Sequence, residues 1–190
     1  MASPTALIVG GKISPAAMSV AKARGLMLAS CDPYPSVDEL IAHVTACDAK
    51  ALIIRMGKVP AEALQGLPGL RIIAKHGVGV DGIDLDEAAA RGVPVVIAGG
   101  ANAQSVAEQA LALLLSVARS TAYLDRRLRA GHWDKSTYAG TELTGKAIGL
   151  VGLGAIGRAF LALLAPFGMT VRAYDPYLPS DALPASAIAV

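Results

Sequence analysis

Gly152, Gly154 and Gly157 make the pattern G-x-G-x-x-G within the stretch "VGLGAIGRAFLALLAPFGMTVRAYDPY". Glycine is common in this chain, 20 of 190 residues, so the spacing alone says little. The surroundings say more. The apolar run "AIGLVG", residues 147–152, reads as a strand leading straight into the pattern, and "AIGRAFLALLAPFG" reads as an amphipathic helix behind it. A second apolar run, "TVRAY", ends on Asp175, eighteen residues past the last glycine. Strand, glycine turn, helix, strand and acid is a layout that binds a dinucleotide. Gly152 permits the tight turn, Gly154 lets a pyrophosphate approach the backbone, and Gly157 lets the helix pack closely on the strand. The amides near Ala155 and Ile156 sit at the positive end of that helix, where an anion is stabilised. Asp175 would accept bonds from two ribose hydroxyls and repel a 2′-phosphate, which favours NAD over NADP. The alternative is a glycine turn that holds no ligand, and the completeness of the pattern argues against it.

The elements around this turn are those of an α/β protein. "ALIVG", "LMLAS", "ALIIR", "LRIIAK" and "VPVVIA" read as five short strands within the first hundred residues. Helical stretches separate them. Ser14 is the expected cap of the first, with Pro15 at its first position and Gly25 as its stop. Ser36 and Glu39 form the Ser-x-x-Glu capping box of the next. "PAEALQGL" and "DLDEAAARG", the latter ending on Gly92, supply two more. Continuous apolar strands alternating with helices predict a parallel sheet covered on both faces, in a flavodoxin-like, doubly wound domain. The composition then shifts. Gly99 and Gly100 make a hinge, a long helix starts near Asn102, and more helix runs through "TAYLDRRLRAG" before the polar loop "HWDKSTYAGTELTGK". The expected domains are therefore residues 1–99 and 100–190. The second is the start of a Rossmann dinucleotide-binding domain.

Composition narrows the function classes. Seventeen basic residues against fifteen acidic ones leave a net charge of +2, which makes no case for nucleic acid. The stretch "DRRLRAGH" reads as a solvated helix face. Mean hydropathy is high at +0.51, yet the most apolar run, "ALALLLSVA", is far shorter than the roughly 20 residues of a membrane span. The N-terminus lacks the basic start and long apolar run of a signal peptide. Cys31 and Cys47 have no metal-ligand spacing and read as buried free thiols in a reducing cytoplasm. No metal site is expected.

Four stretches, in order, carry a family resemblance: "LRIIAKHGVGVDGIDLDEAAARGVPVVIAGGAN", "SVAEQALALLLSVAR", "RAGHWDK" and "ELTGKAIGLVGLGAIGRAFLALLAPFGMTVRAYDPY". From about residue 70 to residue 177 the chain resembles the D-isomer-specific 2-hydroxyacid dehydrogenase family, which includes phosphoglycerate dehydrogenase and glyoxylate or hydroxypyruvate reductases. The resemblance implies that residues 1–99 bind the substrate, a small 2-hydroxy or 2-oxo acid, and that the remainder begins the NAD domain, with the active site between them. It implies that backbone amides of the Gly77, Val78 and Gly79 loop meet the substrate carboxylate. Arg55 matches a position that helps hold the acid, and is equally read as an exposed loop arginine. Asn102 matches an asparagine near substrate and nicotinamide, and is equally read as a helix N-cap. Asp81 is expected to brace the loop. Gly82 departs from the family's usual asparagine. A homodimer through the region around 102–130 is the family expectation.

The family's chemistry is hydride transfer between the nicotinamide and C2 of the acid. A histidine moves the hydroxyl proton, a glutamate raises that histidine's pKa, and an arginine polarises the carbonyl. The resemblance places all three beyond the second cofactor strand, so no catalytic residue is assigned in this chain. His43, His76 and His132 read as non-catalytic, although His76 borders the carboxylate loop. Only two strands are legible after residue 146, against about six in a complete domain of this type. The expectation is that the 190 residues are part of a longer enzyme. The competing expectation is a catalytically inactive binding or dimerisation module.

Overall fold

Ala6, Leu7, Ile8 and Val9 are all buried, as a strand covered on both faces requires. In the computed structural model, which describes residues 5–179 and 184–189, they belong to β1 (Thr5–Val9). Met1–Pro4, at the head of the stretch read for a signal peptide, lie outside the described residues. The chain falls into two compact units, Met1–Gly99 and Gly100–Val190.

In the first unit β1 is joined by β2 (Met27–Cys31), β3 (Ala49–Ile54), β4 (Ile72–Lys75) and β5 (Val95–Ile97). All pairings are parallel and the order is β2-β1-β3-β4-β5, the flavodoxin-like arrangement. The register aligns Ala29, Leu7, Leu52, Ile73 and Val95 in one row across the sheet. On that row pack Leu40 and Val44 of α2 (Val37–Ala46), Ala63 and Leu64 of α3 (Ala61–Gln65) and Ala88 of α4 (Leu85–Ala90). The remaining helix is α1 (Pro15–Ala23).

Helix ends follow their local chemistry. Ser14 Oγ accepts the Ala17 N–H at 3.2 Å, and the chain leaves α1 through Gly25 at φ +68°. At α2 the Ser36 N–H donates to Glu39 Oε2 at 2.8 Å and the Glu39 N–H donates to Ser36 Oγ at 3.3 Å, a complete capping box. β3 starts two residues before the expected "ALIIR" run and stops before Arg55. Its register with β1 shifts after Ala49, so the charged Lys50 is taken into a strand that hydropathy alone would begin later. Both cysteines are free, but only Cys31 is buried; Cys47, at the C-cap of α2, is half-exposed.

The second unit contains α5 (Ala103–Ala118), α6 (Thr121–Arg129), β6 (Ala147–Val151), α7 (Ala155–Leu164), β7 (Thr170–Tyr174) and β8 (Ala187–Ala189). Its sheet is parallel, in the order β6-β7-β8. The third strand corrects the reading of two after residue 146. It is three residues long and alanine-rich, so it carries little β propensity of its own and exists by pairing with β7. The core joins Ala107 of α5, Phe160, Leu161 and Leu164 of α7, Val171 and Ala173 of β7, and Leu153. Among the described residues β6 is paired on one side only, and Val151 is 88% exposed. The polar loop after α6 is fastened by Arg127, whose Nε and Nη2 both donate to Asp134 and whose guanidinium stands 5.7 Å from the Tyr123 ring centre.

Leu52 sits in the middle of the row and is fully buried. We expect Leu52→Ala to destabilise the first unit by about 2–5 kcal/mol, measured by urea denaturation. A loss below about 1 kcal/mol would show that this row does not organise the core.

Candidate functional site

The glycine turn leaves β6 at Gly152, where φ is +93°, a conformation that side-chain-bearing residues avoid. A Cβ placed on Gly157 would lie 2.4 Å from the Gly152 carbonyl oxygen. The first turn of α7 can thus lie against the strand end only if residue 157 has no side chain. A Cβ on Gly154 would meet nothing within 4 Å, so open space stands in front of the turn. α7 has no side-chain cap, and among the described residues no hydrogen bond takes the N–H of Gly154, Ala155 or Ile156. Three free amides at a helix start, facing open space, suit an anion.

The two preceding amides are occupied. The Gly152 N–H donates to the Tyr174 carbonyl at 2.7 Å. The Leu153 N–H donates to Asp175 Oδ2 at 2.8 Å, while Asp175 Oδ1 accepts the Tyr177 N–H at 2.9 Å. The Leu153 N–H, then that of Tyr177, hold the Asp175 carboxyl below the usual carboxylate range; partial desolvation opposes them. Sequence reasoning placed Asp175 at this strand end but missed its bond to the turn. The signal was present as a buried leucine between two glycines, whose outward amide must find an acceptor.

In the first unit the loop after β4 has a similar division. The Gly77 N–H donates to the Lys75 carbonyl at 2.9 Å, with φ +147° at Gly77, and the Gly77 carbonyl accepts the Ala98 N–H. Among the described residues no hydrogen bond takes the N–H of Val78 or Gly79, and both residues are exposed. Consecutive free amides form a concavity for an anion. Asp81 lies against this loop, its Oδ2 3.2 Å from where a Gly79 Cβ would be.

Arg55 is neither exposed nor idle. It is half-buried, and its Nη1 donates to the Gly10 and Lys12 carbonyls, while its buried Nε has no partner among the described residues. The β1–α1 loop turns back over the β3 end and meets the guanidinium, a long-range contact that the residue's own neighbours do not reveal. Asn102 occupies the position before α5, but φ −106° and ψ 6° turn it away from the extended geometry of a cap, and its side chain makes no capping bond. The Ala103 N–H is taken by the Gly100 carbonyl instead. His76 is exposed and lines an apolar groove against α1 with Ile13, Val20 and Ile53. His43 and His132 are exposed as well.

The two sheets and the helices between their strands define an α/β protein built on parallel strands. The model of the D-isomer specific 2-hydroxyacid dehydrogenase catalytic domain matches residues 6–177, and the chain belongs to that family. It is 48% identical over 145 residues to D-3-phosphoglycerate dehydrogenase of Mycobacterium leprae, covering 76% of this chain and 27% of that protein. Among solved structures it resembles the TT0316 protein of Thermus thermophilus, with a TM-score of 0.83, 30% identity and coverage of 98% of this chain and 59% of the other. It also resembles the NAD-dependent formate dehydrogenase of Staphylococcus aureus in complex with NAD, at TM-score 0.79 and 25% identity over 98% of this chain and 60% of that one. The chain thus spans about a quarter of the curated relative and three-fifths of the structural ones. Among the described residues no helix is long and apolar enough to cross a membrane.

The lowered Asp175 carboxyl makes the second unit acid-sensitive. Protonation costs the folded form its ionic acceptor, so the stabilisation is full above the ordinary carboxylate value near pH 4 and is lost as pH falls through the lowered one. We expect the difference in urea midpoint between the wild type and Asp175→Asn to be constant above about pH 5 and to shrink below about pH 4. A difference that does not change with pH would mean that the charge contributes nothing.

Proposed function

We propose that this chain carries the dinucleotide site and the substrate-carboxylate loop of an NAD-dependent dehydrogenase acting on a small D-2-hydroxy or 2-oxo acid. The observation that carries the reading is the turn at Gly152–Gly157, with three unbonded amides facing open space beside an ionised Asp175. The residues fit the cofactor. Gly154, Ala155 and Ile156 would give their amides to the pyrophosphate, Gly152 and Gly157 would shape the turn, and Asp175 would accept the adenosine ribose hydroxyls. NAD, when bound, supplies the hydride acceptor. On the substrate side, the Val78 and Gly79 amides would hold the carboxylate, with Arg55 adding positive charge; Asn102 is proposed as a further substrate-binding residue. None of these groups moves the hydroxyl proton, and we assign that step to no residue of this chain.

Calorimetric titration tests the cofactor reading. NADH should bind, and NADPH at least about tenfold more weakly, because its 2′-phosphate would face the Asp175 carboxylate. Absence of NADH binding, or equal affinity for the two, would overturn it.

The proposed partner is a second copy of the chain. Leu113 and Val117 are exposed on α5, Val117 at 79%, and Leu128 of α6 lines a groove with Trp133, itself 75% exposed. A homodimer through the 102–130 region would cover it. Sedimentation should give twice the 19.3 kDa chain mass, and Val117→Asp should weaken the dimer by roughly tenfold or more. An unchanged mass in the variant would exclude this face. The exposed surface equally favours a purely dimerising module, which the NADH titration separates from the enzyme reading.

A further inference from the structure

We propose that Asp175 is a positioning residue for the glycine turn, fixing its backbone toward the pyrophosphate before any ribose is present. The proposal rests on the dinucleotide reading above and deepens it. The close approach of α7 at Gly157 restrains one end of the turn, and φ +93° at Gly152 leaves the other end its own conformational freedom. What holds it is a three-point attachment. The Leu153 side chain is buried in the second unit's core, at 1% exposure. The Gly152 N–H is tied to the Tyr174 carbonyl at 2.7 Å, and the Leu153 N–H to Asp175 Oδ2 at 2.8 Å. Asp175 is itself oriented by the Tyr177 N–H on its other oxygen.

The chemistry leaves room for both tasks. Each carboxylate oxygen has a further lone-pair direction, so ribose hydroxyls can be accepted without releasing Leu153 or Tyr177. Alanine at 175 would free the Leu153 N–H and let peptide 152–153 rotate about the permissive Gly152. The Gly154 amide would then lose its alignment with those of Ala155 and Ile156, which α7 holds in place. Asparagine keeps one oxygen for the Leu153 N–H, while its NH2 group, a donor, gives up the Tyr177 bond, so it keeps the tie to the turn and loses the charge.

The test compares NADH with an analogue lacking both hydroxyls of the adenosine ribose, on wild type, Asp175→Ala and Asp175→Asn. If Asp175 positions the turn, Asp175→Ala binds the analogue about tenfold more weakly than wild type does, although no ribose hydroxyl is there to lose. Asp175→Asn should restore analogue binding to within about threefold of wild type without restoring NADH binding, which loss of fold would not do. Equal binding of the analogue by wild type and Asp175→Ala would overturn the proposal. Amide hydrogen exchange without cofactor gives an independent answer: Leu153 should exchange at least about tenfold faster in Asp175→Ala while Gly152 stays protected, and unchanged Leu153 exchange would also overturn it. Failure of wild type to bind NADH would sink the dinucleotide reading instead, and the exchange data would still decide the attachment.

Discussion

The second unit depends on how closely α7 approaches the end of β6. At Gly157 the approach leaves no room for even a methyl group beside the Gly152 carbonyl. From that contact follows the direction of α7, and with it the place where its free amides face. It also seats Phe160, Leu161 and Leu164 on Val171 and Ala173, while Ala107 of α5 completes the same core. A larger residue at 157 would push the helix away from the strand, opening the core and turning the amides together. Packing and ligand geometry here are one constraint seen from two sides.

Both units leave backbone donors without partners at a loop that follows a strand. Among the described residues the loop after β4 leaves the Val78 and Gly79 amides free, and the turn after β6 those of Gly154, Ala155 and Ile156. In each, a glycine with positive φ opens the loop, Gly77 in one and Gly152 in the other. In each, the first N–H is spent on a carbonyl; in the turn after β6 the second goes to Asp175 as well, before the free ones begin. Backbone donors have no rotamer entropy to lose and hold their direction without a partner. The acidic residue beside each loop, Asp81 or Asp175, does not neutralise the free amides, since amides carry no net charge to cancel.

Much of this architecture was legible in the residues. Buried strands announced themselves as continuous apolar runs, and Ser14, Ser36 with Glu39, and Gly25 marked helix ends whose hydrogen bonds are present. Gly152, Gly154 and Gly157 were legible as a spaced pattern, and the backbone at Gly152 and the close contact at Gly157 require glycine. What stayed hidden depended on contacts distant in sequence. β8 is held by its neighbour rather than by its own residues. Arg55 meets carbonyls more than forty positions away. Asn102 has the composition of a cap, but the turn from Gly100 to Ala103 sets its backbone otherwise. Leu153 stands between two glycines with its side chain in the core and its amide on Asp175, a division that depends on a partner distant in sequence.

That division at Leu153 has a thermodynamic consequence. The residue links the interior of the unit to the rim of the turn through a single peptide. Whatever binds the rim in its ordered form must therefore bind the folded unit in preference to the unfolded chain, and occupancy raises the melting temperature by mass action. The turn is not an appendage whose order is independent of the core. Folding and ligation draw on the same reservoir of free energy, and a change at either end of Leu153 is felt at the other.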